Sequence, residues 1–300
     1  MSAVKRSGFR WITGLIAALF LFAAAGSAPC VRAETVEQST EETLSARQAF
    51  VYDTASGEYL MEKCCGKMYP ASTTKLFSAY VGLLYLREEE QVTAGKELDF
   101  VAPDASRAYI YENQTLTVAQ LVEAMLLPSG NDAAYIFACA AGRKIARDPA
   151  LPYDRAVQVF VDEMNACARD LGLRGSHFLN PDGFHVGSHY TCVQDMAVIA
   201  ELALKNPTIA KFAQLQRADV CYITGESNTW YNTNRLLHPD SEYYHEQAVG
   251  LKTGYTKQAG NCLVSAFRQG EGFVLIGVFG CPDPATRYDD VMSLAAQYVT

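Results

Sequence analysis

Ser72 and Lys75 are two residues of this 300-residue chain whose types and spacing could do chemistry. They stand three residues apart, just where a long apolar run begins at Leu76. If that run is a helix, the two side chains lie one turn apart on the same face. The free N–H groups and the dipole at a helix N-terminus also favour developing negative charge on a serine. The pair therefore predicts a nucleophilic serine activated by an amine rather than by a histidine.

The Ser-x-x-Lys spacing is weak evidence alone, because chance supplies about one such pair in a chain of this length. Ser2 and Lys5 have the same spacing in a segment where catalysis is implausible. The hypothesis therefore depends on further motifs. Ser129 and Asn131 flank Gly130 at a break between two predicted helices, so their hydroxyl and amide groups can point into a cleft.

A third motif, Lys252-Thr253-Gly254, falls on a predicted strand. It places a cation, a hydroxyl and a residue without a side chain along one edge, and the glycine lets a substrate approach the backbone closely. Ser-x-x-Lys, Ser-x-Asn and Lys-Thr-Gly, in this order, are typical of penicillin-binding proteins and class A β-lactamases. The last two motifs occur once each, which makes a joint chance occurrence improbable.

The sequence around these motifs resembles the low-molecular-mass penicillin-binding proteins, the serine D-alanyl-D-alanine carboxypeptidases of peptidase family S11. The similar segments are 70–75 (PASTTK), 128–134 (PSGNDAA), 178–183 (FLNPDG), 232–237 (NTNRLL) and 250–256 (GLKTGYT). Asp182 stands where a histidine is expected in that family. The resemblance covers roughly residues 48–300. It implies a β-lactamase/transpeptidase-like α+β fold, in which helices flank an antiparallel sheet and the middle of the chain forms a mostly helical subdomain.

The resemblance implies catalytic roles for the residues of the first two motifs. Ser72 would attack the carbonyl between two terminal D-alanines of a peptidoglycan stem peptide and form an acyl-enzyme. Lys75 would take the serine proton, which requires a neutral amine and thus a pKa below the usual ~10.4. Ser129 would relay a proton towards the leaving D-alanine, and Asn131 would orient Lys75 and the substrate amide.

The third motif is implied to bind substrate. Lys252 and Thr253 would hold the terminal carboxylate, with Gly254 beside them, and the backbone N–H groups of Ser72 and Tyr255 would form the oxyanion hole. A β-lactam mimics the D-alanyl-D-alanine end and would acylate the serine. The resemblance implies no metal and no cofactor. It places the enzyme in cell-wall biogenesis and remodelling.

Two other functions compete with the carboxypeptidase interpretation. A β-lactamase needs a general base, usually a glutamate preceding a Leu-Asn pair, but Ser176 stands three residues before Leu179-Asn180. The third possibility is a catalytically silent peptidoglycan-binding protein of the same fold. His185 and His189 have a spacing that could suggest a metal site, but no acidic ligand pattern accompanies them, which favours structural roles.

Residues 1–33 read as a secretory signal peptide, in which three basic residues precede an apolar run and small residues precede the cleavage point. The alternative is an uncleaved N-terminal membrane anchor. The segment carries four basic and no acidic side chains, so its removal takes the formal charge from −8 to −12. An acidic exported protein is a poor candidate for binding nucleic acid or anionic lipid. We expect an extracytoplasmic protein of the cell envelope, either secreted or weakly held at the membrane.

The remaining chain is expected to form a polar linker over 34–46 and one catalytic domain over 47–300, without a C-terminal β-domain or anchor. Eight cysteines follow the signal peptide, and their spacing resembles no disulfide framework, so buried thiols are favoured over disulfides. An aromatic group that includes Trp230 and Tyr244 could line the cleft, but packing is the simpler interpretation.

Periodicity and turn residues predict the elements that position the motifs. Strands are predicted at 48–54, 58–62, 249–256, 262–268 and 273–280. Helices are predicted from residue 72 to the charged run 87–90, from a capping box at Thr117, over 131–142 with a stop at Gly142, over 154–171, after a second capping box at Thr191, and over 284–299. Strands at both ends with helices between them predict an antiparallel sheet built from both termini.

Overall fold

Both ends of the folded chain contribute strands to one sheet in the computed structural model, which describes residues 43–63 and 66–300. The strands are β1 (Gln48–Asp53), β2 (Glu58–Lys63), β3 (Gln91–Thr93), β4 (Thr115–Thr117), β5 (Arg217–Cys221), β6 (Ser227–Tyr231), β7 (Ala248–Thr256), β8 (Gly260–Gln269) and β9 (Gly272–Cys281). The helices are α1 (Thr74–Gly82), α2 (Val118–Leu126), α3 (Asn131–Ala146), α4 (Tyr153–Asp170), α5 (Val193–Lys205), α6 (Pro207–Ala213) and α7 (Thr286–Tyr298).

The main sheet has five strands in the order β2-β1-β9-β8-β7, and all of its neighbouring pairs are antiparallel. Val51 of β1 lies opposite Ile276 of β9, which in turn lies opposite Ser265 of β8. The N-terminal hairpin therefore joins the C-terminal strands at the middle of the sheet. This confirms the predicted sheet from both termini.

Successive side chains of the central strands point to opposite faces of the sheet. The core is therefore divided into two layers, one on each face. Val51 and Ile276 pack in a cluster with Tyr288 and Leu294 of α7. Their neighbours Phe50 and Leu275 pack in the larger cluster, which holds the side chains of the remaining helices. The fold is thus α+β, with one helix on one face of the sheet and the helical subdomain on the other.

Two predicted helix boundaries are wrong for local reasons. Helix α1 ends at Gly82, and the next residues form tight turns in which Leu84 and Tyr85 donate to carbonyls three residues back, so the helix does not reach the charged run 87–90. The capping box predicted at Thr117 is confirmed. The one predicted at Thr191 does not form, because the threonine hydroxyl hydrogen-bonds Ser176 and the helix begins at residue 193.

Gly142 was predicted to end a helix, but α3 continues through it to Ala146. The residue that takes the left-handed conformation at the helix end is Arg147, with a φ of 55°. A Cβ atom at Gly142 would lie only 1.8 Å from the carbonyl oxygen of Ala156 in α4. This glycine is therefore explained by the close approach of two helices rather than by helix termination.

Replacing Gly142 by alanine is expected to lower the free energy of unfolding by at least about 2 kcal/mol, because the methyl group has to push α3 and α4 apart. Chemical denaturation measures this loss. Gly187→Ala is the matched control, since a Cβ atom there meets nothing within 4 Å. Equal stability of the two variants would contradict the packing explanation.

The folded domain begins a few residues before the predicted boundary at residue 47. Leu44 and Ala46 are buried, and the N–H groups of Ser45 and Ala46 donate to the carboxylate of Asp290 in α7. Residues 44–46 are therefore packed and are not part of a linker. The predicted signal peptide lies outside the described residues, as does most of the predicted linker. Within the described ranges, no helix is long and apolar enough to cross a bilayer.

The six cysteines that the structure describes carry free thiols, as predicted. Cys139, Cys262 and Cys281 are buried, where burial raises the thiol pKa. Cys221 departs from the prediction, because it is exposed on the edge of the β5–β6 hairpin. The adjacent Cys64 and Cys65 lie outside the described residues.

Candidate active site

Ser72 sits in a short 3₁₀ turn, Ala71–Thr73, that leads directly into α1. One turn later the side chain of Lys75 is fully buried, and its Nζ lies 2.8 Å from Ser72 Oγ. The same Nζ donates to Asn131 Oδ1 at 2.7 Å and to the carbonyl oxygen of Asp182 at 2.9 Å. Three acceptors match the three protons of an ammonium group, so the lysine is held in one position beside the serine.

Burial lowers the pKa of Lys75 to about 8, against the opposing effect of the negative charges of Asp182 and Asp132. Desolvation disfavours the charged amine, and nearby carboxylates favour it. The amine is therefore close to the balance between its two protonation states near neutral pH. A group in this condition can accept a proton from the serine and return it.

Ser129 and Asn131 lie where α2 gives way to α3, as their spacing predicted. Ser129 is buried and has a φ of 64°, a left-handed conformation that costs a serine energy. The side chain of Asp132 holds the turn against a neighbouring segment, because its carboxylate accepts the N–H groups of Ala108 and Ile110. The rigid turn presents the serine and the asparagine to the same space as Lys75.

Strand β7 forms the opposite wall. Lys252 is buried and donates to the carbonyl of Thr253, whose hydroxyl lies 2.6 Å from that of Thr233. A Cβ atom at Gly254 would lie 3.1 Å from Ser72 N. The glycine therefore lets the strand itself approach the nucleophile turn, which adds a structural reason to the predicted approach of a substrate.

Between these walls lies a groove of about 240 Å³. The predicted site residues that line it are Ser72, Ser129, Asn131, Thr253, Gly254 and Tyr255. Lys75 and Lys252 are buried, and each donates a hydrogen bond to a residue that lines the groove. The structure thus brings together all eight residues that the motifs singled out, although they are spread over more than 180 positions of the sequence.

Arg287, in the first turn of α7, lines the same groove and was missed by the sequence analysis. Its Nε is buried and has no hydrogen-bond partner among the described residues. Burial, reinforced by the charges of Lys75 and Arg287, places the pKa of Lys252 well below its usual value. An anion bound here would offset the repulsion among these cations. No motif in the sequence connected this arginine to the site.

The two histidines considered as metal ligands have packing roles. His189 is buried, accepts the N–H of Leu179 through Nδ1 and lies 3.1 Å from the hydroxyl of Thr74. Burial lowers the pKa of His189 to about 3, so the ring is neutral. His185 packs edge-on against Tyr69. Of the aromatic group, Trp230 is buried and donates to the carbonyl of Ala108, which supports packing.

The comparison with known families shows the family to which the chain belongs. The family model described as D-alanyl-D-alanine carboxypeptidase matches residues 33–282. The chain belongs to this family. Two curated relatives carry the same name: one from Streptomyces sp. strain K15 is 32% identical and covers 85% of this chain and 87% of its own length. DacF of Bacillus subtilis is 27% identical, and the match covers 86% of this chain and 63% of DacF. This chain thus spans under two thirds of DacF.

Similar solved structures confirm the predicted fold. The Streptomyces K15 DD-transpeptidase is 30% identical to this chain, with a TM-score of 0.76 over 85% of this chain and 97% of that one. Penicillin-binding protein D2 of Listeria monocytogenes, solved in its ampicillin-bound form, is 26% identical with a TM-score of 0.68 and the same coverage. The predicted transpeptidase-like arrangement of sheet and helices is therefore correct.

Proposed function

We propose that this carboxypeptidase-family protein removes the terminal D-alanine from peptidoglycan stem peptides that end in D-alanyl-D-alanine, through an acyl-enzyme on Ser72. One observation carries the proposal: the buried amine of Lys75, with its pKa lowered to about 8, lies 2.8 Å from the serine hydroxyl at the floor of a groove. Lys252 and Thr253 of β7, together with Arg287, make one end of that groove suitable for a carboxylate. We call this end the cationic end of the groove.

Acylation follows from this geometry. As Ser72 Oγ attacks the carbonyl carbon of the scissile amide, its proton passes to Lys75. The N–H groups of Ser72 and Tyr255 receive the developing oxyanion. The C–N bond then breaks, and the proton travels from Lys75 through the Ser129 hydroxyl to the nitrogen of the leaving D-alanine. The products are a serine ester and the released amino acid.

Deacylation uses the same groups in reverse. A water molecule takes the place of D-alanine, gives its proton to Lys75 and attacks the ester carbonyl. The C–O bond breaks, and the proton returns to Ser72 Oγ. The shortened peptide leaves with a new carboxylate. Each cycle consumes one water and restores the hydroxyl, so the reaction needs no metal or cofactor.

The cationic end of the groove explains why the last residue of a peptide would be the one removed. Thr253 and Thr233 place two hydroxyls 2.6 Å apart, and Arg287 lines the same space with its Nε unpaired among the described residues. Lys252 is buried and donates to the carbonyl of Thr253. A terminal carboxylate can accept hydrogen bonds from these hydroxyls and from the guanidinium. A peptide that continued past this point would leave the cations without a counter-charge.

The same site is proposed to react with β-lactams as covalent inhibitors. Their strained amide stands where the D-alanyl-D-alanine bond would stand, and the broken ring keeps the leaving group attached, which hinders water. A β-lactamase is less well supported, because Ser176 donates to Asp195 and hydrogen-bonds Thr191 rather than lining the groove. Rapid turnover of penicillin would favour the β-lactamase, whereas long-lived labelling of the protein would favour the carboxypeptidase.

The site of action is proposed from the sequence and the family. A signal peptide over 1–33 would export the protein to the cell envelope, where peptidoglycan lies, and a role in cell-wall biogenesis and cell shape follows from the substrate. A secreted enzyme and one with weak or N-terminal membrane association both agree with the chain. Detection of a mature N-terminus just after residue 33 would establish export.

Release of D-alanine from a synthetic pentapeptide that ends in D-Ala-D-Ala tests the proposed reaction. The control is the same peptide with a terminal L-alanine, which has the same charge and size but the wrong geometry at the cationic end of the groove. We expect D-alanine to be released and the control to be stable. Absence of release from the first peptide would refute the carboxypeptidase proposal.

The rate of acylation is expected to rise with pH through a midpoint near 8. Only the neutral amine of Lys75 can accept the serine proton, and the fraction of neutral amine falls roughly tenfold per pH unit below its pKa of about 8. The second-order rate constant for labelling by a fluorescent penicillin measures this dependence. A rate that stays constant from about pH 6 to about pH 9 would contradict the assignment of Lys75 as the base.

A further inference from the structure

Asp182 contacts both Lys75 and Asn131, although no motif predicted a role for it. It lies in the loop between α4 and α5 and is 1% exposed. Its backbone carbonyl accepts a hydrogen bond from Lys75 Nζ at 2.9 Å. Its carboxylate Oδ2 accepts the amide of Asn131 at 2.6 Å. The residue therefore closes a ring of hydrogen bonds beneath Ser72.

The hydrogen bonds of the Asp182 carboxylate suit its ionised form. Oδ2 accepts from Asn131, and Oδ1 accepts the N–H of Phe184 at 3.0 Å, so both oxygens face donors. Burial raises the pKa of this carboxyl above its usual value, and the charge of Lys75 and the N–H of Phe184 oppose that effect. An opposite charge nearby and N–H donors favour the charged form of a carboxylate. The site thus holds an anion that shares Asn131 with the lysine.

The position of Asp182 also fixes which way the Asn131 amide points. The oxygen and the nitrogen of an asparagine side chain have nearly the same shape, so only the neighbours choose between the two orientations. Lys75 offers protons on one side, and Asp182 offers an acceptor on the other. This pair of neighbours holds the oxygen towards the lysine and the nitrogen towards the carboxylate.

Other charged groups face Lys75 from the elements packed around it. Asp132 of α3 is negative, but its oxygens accept the N–H groups of Ala108, Ile110 and Ala133, which engage it with the backbone. Lys252 of β7 is a second buried amine, and burial together with the charges of Lys75 and Arg287 lowers its pKa. Tyr135 of α3 is neutral, because burial and the charge of Asp182 both raise its pKa. The carboxylate of Asp182 is joined to the lysine through one side chain, that of Asn131, and the backbone carbonyl of Asp182 contacts the lysine directly.

We propose that Asp182 is a positioning residue, which orients Asn131 towards Lys75 and uses its negative charge to set the pH at which that lysine becomes a base. The inference deepens the proposed function and rests on it, since both concern the same lysine. The histidine expected here in the family could also accept from Asn131, but a neutral ring would supply no charge. The proposal thus predicts a pH dependence particular to the aspartate.

Two substitutions test the charge and keep an acceptor for the asparagine: Asp182→Asn and Asp182→His. Loss of the negative charge favours the neutral amine, so the midpoint of the acylation rate against pH is expected to fall by about one unit in both variants. At high pH, their rates should stay within about tenfold of the unmodified protein. Asp195→Asn removes the charge of another buried carboxylate, one that binds Ser176 outside the groove, and should leave the midpoint unchanged.

A direct titration of Lys75 separates this inference from the proposed function. The ¹³Cε chemical shift of Lys75 in selectively labelled protein reports its pKa without any substrate. If the protein forms no acyl-enzyme but the substitutions lower the lysine pKa, the proposed function fails and the Asp182 inference stands. An unchanged or raised pKa of Lys75 in both variants would overturn the inference. Reduced stability with an unchanged midpoint would show a merely structural role.

Discussion

Replacing Ser72 by alanine is expected to reduce D-alanine release at least about 10⁴-fold and to abolish covalent labelling by penicillin. The variant lacks the only oxygen that can carry the acyl group in the proposed mechanism. Its fold should be preserved, because the side chain is only half-buried and its hydroxyl accepts one hydrogen bond, from Lys75. Lys75 retains Asn131 and Asp182 as acceptors.

The measurement is a D-alanine assay on the pentapeptide, run beside a thermal melt to show that the variant is folded. Ser188→Ala is the matched control, because it removes the same hydroxyl from an exposed serine away from the groove. The control should keep full activity. Retention of release by the Ser72→Ala protein would show that another nucleophile carries the reaction.

Replacing Lys75 by methionine is expected to slow acylation roughly 10²–10⁴-fold, the usual contribution of a positioned general base. Methionine keeps much of the side-chain volume but has no amine. Lys75→Arg should be slowed as well, since a guanidinium stays protonated and cannot accept the serine proton. A large loss in both variants would separate proton transfer from the simple presence of a positive charge.

Stability distinguishes the chemical role of Lys75 from its structural one. Its removal leaves the carboxylate of Asp182 buried without a facing cation, so the Lys75→Met protein should also melt at a lower temperature. Lys205→Met, on an exposed lysine paired with Glu201, is the control and should change neither acylation nor stability appreciably. Acylation by the Lys75→Met protein at the unmodified rate would contradict the base assignment.

The sequence was most informative about residues whose chemistry depends on local spacing. Ser72 and Lys75 lie one helical turn apart, so their contact follows from backbone geometry. The strands predicted at both ends of the chain indicated a sheet built from both termini, and β1 and β9 are neighbours in that sheet. The contact between Lys75 and Asn131 could be inferred only from the family resemblance, because 56 positions separate them.

Three of the missed features depend on contacts between distant segments. Gly142 resembles a helix stop, and only the position of Ala156 in the next helix shows why a glycine is needed. Arg287 resembles any other arginine of a closing helix until the fold carries it to the groove. Asp182 was noted only as a departure from an expected histidine. Its hydrogen bonds with Asn131 and Lys75 arise from tertiary packing that no local pattern encodes.

The mass of the penicillin-treated protein tests the central claim most directly. One adduct of the mass of the intact β-lactam is expected, and peptide mapping should place it on Ser72. The hydroxyl of Ser72 lines the groove and lies 2.8 Å from the buried amine of Lys75, and this position sets it apart from every other serine that the structure describes. An unmodified mass, or an adduct on any residue other than Ser72, would contradict the proposed mechanism.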